Sequence, residues 1–196
     1  MNSLVVNEAF AKYHQSKEQI DQENALVMEA KKDTSKFGIL YKKYYEQIFL
    51  FILKRVESED TAADITSQVF LKALLNLPKY RDMGLPFSAW LFRIARNEMY
   101  DMFSKNKIEM VVSIEDRGIS NMLSDLGEEA KKDHSKLHAA LALLENKEME
   151  LIELRFFEER SFKEVGDILE ITENNAKVRT YRVLDKLKKL MDNERL

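Results

Sequence analysis

Residues 86–105 read PFSAWLFRIARNEMYDMFSK, and their pattern is that of a helix with two unlike sides. At about 100° per residue, one side is apolar and consists of Trp90, Leu91, Ile94, Ala95 and Met102. The other side is polar and consists of Arg93, Arg96, Asn97, Tyr100 and Ser104. We therefore expect a helix whose Trp90 side packs into a core and whose Asn97 side is available to a flat, charged ligand.

The composition of the whole chain predicts an all-α fold. Its 196 residues include only five Gly and two Pro, both of which sheets and their turns consume. Hydrophobic residues make up 45% and charged residues 33%, so the chain can bury a core. It contains no Cys, which excludes disulfides, thiolate zinc sites and cysteine nucleophiles.

The chain is expected to be cytoplasmic. Its start, MNSLVVNEAFAKYHQ, lacks the basic and apolar regions of a signal peptide. No segment reaches the ~18 uninterrupted apolar residues of a membrane span. Because the net charge is −3, any binding to nucleic acid has to come from local basic faces.

The periodicity predicts two helical modules. Apolar residues recur at helical spacing through 25–107 and again through 136–196. Between them, residues 108–135 lose this periodicity and are rich in acids, so we interpret them as a flexible linker. Residues 1–24 are polar and weakly patterned, and we interpret them as an N-terminal extension of unassigned role.

The last predicted helix carries a continuous basic stripe. Residues at i, i+4, i+7, i+11 and i+14 share one face, namely Asn175, Arg179, Arg182, Lys186 and Lys189. The opposite face is apolar. An ordinary solvated helix is the alternative, but such helices usually mix charges of both signs by i,i+4 pairing. The stripe favours a helix in a DNA groove, where long cations reach phosphates and Asn or Arg contacts base edges.

The preceding residues complete a helix-turn-helix pattern. Ser161 and Glu164 form a capping box that opens a short helix. After a turn of about three residues, Thr172 caps the last helix, and the small Gly166 stands where the two helices cross.

The polar side of residues 86–105 suits unpaired bases. Aromatic rings stack on bases, amides read their edges and guanidinium groups hold the backbone. The loop before this helix, with Tyr80, Arg81 and Asp82, lies where a flipped base would be received.

These stretches resemble the extracytoplasmic-function (ECF) sigma factors. PFSAWLFRIARNEMYD resembles their region two, with the pattern P-F-x-x-W-L-x-x-I-A-x-N-x-x-x-D. Upstream, TAADITSQVFLKA resembles D-A-E-D-L-V-Q-E-T-F-L-x-A, and ALVMEAKKDTSKFGILYKKYYEQI resembles the start of the same region. LLENKEMELIELRFFEERSFKEVGDILEITENNAKVRTYRVLDKL is similar to region four. The resemblance covers residues 25 to about 192, apart from the linker.

The resemblance implies a dissociable subunit of bacterial RNA polymerase that directs promoter recognition and strand opening. The residues that would contact the polymerase clamp are Asp64, Gln68 and Lys72. Those that would receive the minus-ten element are Tyr80, Arg81, Asp82, Arg93, Arg96, Asn97 and Tyr100. Those that would read the minus-thirty-five element are Asn174, Asn175, Lys177, Arg179, Arg182 and Lys186.

The same resemblance implies the partners of the chain. They are core RNA polymerase, contacted at its clamp and flap, promoter DNA, and an anti-sigma factor. It implies no cofactor, no metal and no reaction catalysed by this chain, and a monomer when free. The acidic linker would run through the polymerase toward the RNA path.

Several positions depart from the family pattern, and two of these departures lie in the helix-turn-helix. Glu170 replaces the glycine that is usual in the helix-turn-helix turn, so the turn has to form without a residue that adopts left-handed geometry easily. Asn174 and Asn175 replace the usual Gly-Thr at the start of the recognition helix.

Two other classes of protein were weighed against a sigma factor. A helix-turn-helix regulator that binds duplex DNA without polymerase would explain residues 136–196 but leave the first module without a role. An enzyme has little support. His134 and His138 have the i,i+4 spacing of a zinc protease, but Ser135 stands where such enzymes have Glu.

Overall fold

The computed structural model describes residues 15–56, 58–106, 119, 122 and 134–193. The described residues divide into two compact units, the first comprising 15–56 and 58–106 and the second comprising 119, 122 and 134–193. Across the described ranges there are eight α-helices and no strand, which confirms the all-α prediction. The predicted linker 108–135 lies almost wholly outside the described residues.

The first unit contains four helices, which are α1 (Lys17–Lys32), α2 (Phe37–Leu53), α3 (Glu59–Asn76) and α4 (Phe87–Asn106). The second unit contains α5 (His134–Ala142), α6 (Asn146–Ile152), α7 (Phe162–Leu169) and α8 (Glu173–Asn193). A π-helical segment, Glu153–Phe157, directly follows α6.

Helix α4 packs against the other three helices of the first unit. The ring of Phe92 on α4 lies 4.5 Å from that of Phe51 on α2, measured between centroids. Elsewhere on α2, Tyr41 packs edge-on against Phe70 of α3, with 4.7 Å between the ring centroids. Full burial of an aromatic side chain such as Phe92 contributes about 1.5–3 kcal/mol, so its contact with Phe51 helps to fix α4 against α2.

The buried side of α4 differs in part from the predicted one. Phe92, Met99 and Phe103 are buried, whereas Trp90 is only half-buried. The core face of α4 is therefore centred away from Trp90. Trp90 lies at the edge of this face, where its ring packs against Tyr80 and Phe87. The predicted core side is confirmed at Leu91 and Ala95, which are buried, but not at Trp90, Ile94 and Met102, which are half-buried.

Helix α1 begins inside the predicted N-terminal extension. Ser16 caps it and forms a capping box with Gln19. Its buried residues are Glu23, Asn24, Val27 and Ala30. Because two of these four are polar, the apolar periodicity of α1 is weak, which explains why residues 17–24 are only weakly patterned in the sequence.

Helix α8 packs against α5, α6 and α7 in the second unit. Its buried face consists of Ala176, Thr180, Val183, Leu184, Leu187 and Met191. The predicted caps are confirmed. The Ser161 hydroxyl accepts from the Glu164 backbone N–H, and the Thr172 hydroxyl accepts from that of Asn175, each at 3.2 Å.

The turn between α7 and α8 is a Schellman motif built around Glu170. This residue adopts left-handed geometry, with φ 57° and ψ 40°. The Ile171 N–H donates to the Gly166 carbonyl at 2.9 Å, and the Glu170 N–H donates to the Asp167 carbonyl at 3.3 Å. A Cβ on Gly166 would lie 2.9 Å from the Ile171 carbonyl oxygen, so the close crossing requires glycine.

Candidate nucleic-acid interface

The loop before α4 presents an exposed tip. Residues 81–84 are exposed, and the Asp82 carboxylate accepts from the Gly84 N–H at 2.7 Å. Gly84 has a φ of 63°, a geometry that glycine adopts without strain. The local hydrogen bond shapes the tip and leaves Arg81 on its outer side.

Tyr80 lies beneath this loop rather than at its surface. Its side chain is buried, and its hydroxyl donates to the Asn24 side-chain oxygen of α1 at 3.2 Å. Its carbonyl accepts from the Lys31 ammonium at 2.8 Å. Its ring packs against Phe87 and Trp90. In this arrangement Tyr80 supports the loop, and its ring is not available to a base.

The polar side of α4 combines aromatic and guanidinium groups. The Arg96 guanidinium lies 4.7 Å from the centroid of the Tyr100 ring, and it donates to the exposed Asn97 side chain at 3.4 Å. Arg93 and Trp90 are half-buried on neighbouring positions. The surface therefore offers flat groups for stacking and an amide for a base edge, as single-stranded nucleic acid requires.

The outward face of α8 is centred on an apolar residue. Val178 is 39% exposed and points directly away from the buried face of the helix. Around it, the exposed polar residues are Asn174, Lys177, Arg179 and Arg182. The half-buried Asn175 accepts a hydrogen bond from the Arg179 guanidinium at 2.9 Å, which holds both side chains in place.

Val178 was missed because the sequence was searched for charge. Tyr181, one turn further along α8, is exposed in the same way and packs against Phe162 of α7. A helical projection centred on the buried residues, instead of on the basic ones, places Val178 in the middle of the outward face.

Lys186 is engaged within the protein. Its ammonium lies 2.6 Å from the Glu148 carboxylate of α6. Burial raises the pKa of Glu148, but hydrogen bonds from Lys186 and the Glu145 backbone, together with the charge of Lys186, hold this pKa below its ordinary value. Within the basic stripe, the side chain of Lys186 is therefore directed toward α6.

The outer face of α3 carries an apolar patch that the sequence search also missed. Asp64 and Gln68 are exposed, and the same face continues at i+7 and i+11 with Leu71 and Leu75. These leucines are 56% and 68% exposed. Lys72 forms an ion pair with Glu98 of α4, which fixes its side chain at the edge of this face.

Within the described part of the chain there is neither a candidate metal site nor a candidate membrane span. Among its residues, no group of three or more His, Asp or Glu side chains could hold a metal ion, including around His138. Likewise, the helices that the structure describes include none long and apolar enough to cross a membrane.

Two family models match the chain in the order of the two units. Sigma-70 region 2 matches residues 40–108, and Sigma-70 region 4 matches residues 140–189. The RNA polymerase sigma factor SigV of Bacillus subtilis is 30% identical over 132 residues, which are 66% of this chain and 75% of SigV. The chain belongs to the ECF sigma factors.

Other sigma factors align over more of the chain. The ECF RNA polymerase sigma factor BldN of Streptomyces coelicolor is 29% identical over 161 residues, which are 81% of this chain and 61% of BldN. The chain thus spans less than two thirds of BldN. SigW of Bacillus subtilis is 27% identical over 170 residues, which are 81% of this chain and 90% of SigW.

Two solved structures share the fold of this sigma factor. CnrH, solved with the cytosolic domain of CnrY, has a TM-score of 0.56 at 22% identity, covering 87% of this chain and 97% of CnrH. The sigma factor RpoE of Bartonella quintana, solved with the anti-sigma factor NepR, has a TM-score of 0.54 at 22% identity. That match covers 80% of this chain and 96% of RpoE.

Proposed function

We propose that this sigma factor binds core RNA polymerase and directs it to a defined set of promoters. The observation that carries the proposal is that regions 2 and 4 occur in order and that each exposes a surface suited to its task. Region 4 exposes a basic helix with an apolar centre, and region 2 exposes an aromatic and guanidinium surface beside a shaped loop.

In region 4, α8 reads the minus-thirty-five element in the major groove. Asn174, Lys177 and Arg182 are exposed and can reach base edges and phosphates. Arg179, oriented by Asn175, presents a fixed guanidinium to a base. Val178 packs against a thymine methyl group, since an apolar side chain in the major groove finds its match there.

In region 2, the loop tip and α4 receive the unpaired minus-ten bases. Arg81 and Asp82 lie on the exposed tip, and Asn97 offers its amide from α4. Arg93, Arg96 and Tyr100 hold the strand by stacking and by contacts with the phosphates. Tyr80 supports this surface from below.

The polymerase clamp binds the outer face of α3. Exposed leucines are costly in water, so Leu71 and Leu75 indicate a surface that another protein covers. Asp64, Gln68 and Lys72 form the polar rim of this contact, as in most protein interfaces.

The chain itself catalyses no reaction and acts in the cytoplasm, where polymerase and promoter DNA are found. We include an anti-sigma factor among its partners, as for the Bartonella RpoE. A stand-alone regulator is not favoured, because it would leave the match to region 2 and the exposed leucines of α3 unexplained.

Incubation of the purified chain with bacterial core RNA polymerase, followed by transcription from a genomic fragment library, tests this function. Stable binding with transcripts from discrete start sites is expected, and the start sites yield the promoter sequence. Retention of duplex DNA by the chain alone, with no binding to core polymerase, would contradict a sigma factor and support a stand-alone regulator.

A further inference from the structure

The Glu23 carboxylate of α1 joins three helices of the first unit. Its side chain is only 2% exposed. One oxygen accepts from the Phe87 backbone N–H of α4 at 2.7 Å. The other accepts from the Tyr44 hydroxyl and from the Lys43 ammonium, both on α2. Buried carboxylates are costly unless they are fully paired, and Glu23 meets that condition.

The contact with Phe87 supplies a cap that α4 does not have in its own sequence. The first N–H groups of a helix have no partner within the helix and favour a negative charge nearby. The residue before Phe87 is Pro86, whose side chain accepts no hydrogen bond. Glu23 therefore caps α4 from a different helix, and its position fixes where α4 begins.

Helix α1 also holds the opposite end of the loop. Asn24 accepts from the Tyr80 hydroxyl, and Lys31 donates to the Tyr80 carbonyl. The loop is thus held by α1 at both ends, at Tyr80 and at Phe87. Its tip, residues 81–84, is exposed. Both anchors come from one helix, so a shift of α1 would move both ends of the loop.

We infer that α1 is the positioning element of the minus-ten loop and that Glu23 is its principal positioning residue. Glu23 sets the distance between the loop tip and the polar side of α4, and so the fit of an unpaired base between them. This inference rests on the proposed function. Helix α1 precedes residues 40–108, the span that matches Sigma-70 region 2, so the role falls outside the matched segment.

The test uses holoenzyme reconstituted from the full chain and core polymerase. The probe is a single-stranded non-template oligonucleotide carrying the minus-ten element of a promoter found by transcription, with each base in turn replaced by an abasic residue. Wild-type holoenzyme is expected to lose affinity sharply at the captured base. The Glu23→Gln holoenzyme should bind the intact probe roughly tenfold more weakly than wild type, the scale of one lost charge-assisted hydrogen bond. Replacing the captured base by an abasic residue should then reduce its affinity little further.

Matched variants separate positioning from general damage to the fold. Glu29→Gln removes an exposed α1 carboxylate that pairs only locally with Lys36, and it should behave as wild type. Lys31→Met keeps the aliphatic stem but removes the bond to the Tyr80 carbonyl. It should weaken base capture in the same direction as Glu23→Gln, and it decides the question if Glu23→Gln does not fold.

Several results would overturn the inference. One is that the Glu23→Gln and Lys31→Met holoenzymes both lose as much affinity at the abasic position as the wild-type holoenzyme does. Another is a parallel loss of core binding and duplex minus-thirty-five binding, which would mean that Glu23 only stabilises the fold. Wild-type holoenzyme without any base preference would instead refute the proposed function, and this inference with it.

Discussion

At Gly166 the crossing of α7 and α8 leaves no room for a side chain. A Cβ there would lie 2.9 Å from the Ile171 carbonyl oxygen and 3.1 Å from the Glu173 nitrogen, both of which are backbone atoms. Backbone cannot move aside as a flexible side chain can. We expect Gly166→Ala to destabilise region 4 by about 1–3 kcal/mol, in spite of the better helix propensity of alanine.

Urea unfolding followed by circular dichroism measures this loss. Gly38→Ala is the matched control, because a Cβ at Gly38 meets nothing within 4 Å, and it should be neutral or stabilise by up to about 1 kcal/mol. Trp90, the single tryptophan of the chain, reports on the first unit alone, so its transition should not move with Gly166→Ala. Equal effects of the two substitutions would contradict the close crossing.

Glu170 pays a conformational penalty that glycine would not. Its left-handed geometry costs a residue with a Cβ roughly 1 kcal/mol, whereas glycine adopts it freely. Glu170→Gly should therefore raise the free energy of unfolding of region 4 by about 0.5–1 kcal/mol. The control Glu173→Gly, in the first turn of α8, should lower it. A loss of stability in Glu170→Gly would show that the carboxylate makes a contact worth more than the strain.

At the scale of the element, the outward face of α8 combines long basic side chains with an apolar residue, Val178, at its centre. If Val178 packs on a thymine methyl group, replacing that thymine by uracil removes the contact and nothing else. Wild-type protein should then bind the minus-thirty-five duplex about fourfold more weakly at one position, the scale of one buried methyl group. Val178→Ala should bind the thymine and uracil duplexes equally.

Fluorescence anisotropy on duplexes with each thymine replaced in turn makes this measurement. Leu143→Ala, which removes an exposed apolar side chain elsewhere in region 4, should keep the wild-type difference. A Val178→Ala protein that still distinguishes thymine from uracil at every position would rule out the methyl contact.

The same helices show what could be predicted from the sequence. The caps at Ser161 and Thr172, the tight crossing at Gly166 and the apolar face of α8 all depend on residues within a few positions of one another, so their patterns were visible. The pairs Lys72–Glu98 and Lys186–Glu148 were not, because each joins residues that only tertiary packing brings together. Two candidate site residues therefore proved to be held by carboxylates.

Helix α1 and Trp90 illustrate a second limit. Periodicity identifies a buried face when that face is apolar, but α1 buries Glu23 and Asn24. The Glu23 carboxylate bonds to groups of α2 and α4, and the Asn24 side-chain oxygen accepts from Tyr80 at the start of the loop. Trp90 was assigned to the core because it projects onto the apolar side of the helix, although large aromatic residues are often only partly buried.

At the scale of the whole molecule, we assign different tasks to different surfaces of region 2. Asn97 on α4 serves strand opening, and Leu71 with Leu75 on α3 serves the polymerase. Because these residues are exposed, their substitution should leave the fold intact. The two tasks can therefore be separated by mutation.

The measurement that tests the central claim most directly compares affinity for core polymerase with promoter opening in three proteins. They are the wild type, Asn97→Ala and the double variant Leu71→Gln/Leu75→Gln. Asn97→Ala should reduce opening about tenfold with unchanged core affinity, and the leucine variant should reduce core affinity about tenfold with unchanged opening per bound complex. Equal loss of both quantities in both variants, or a wild-type chain that does not bind core polymerase, would contradict the account.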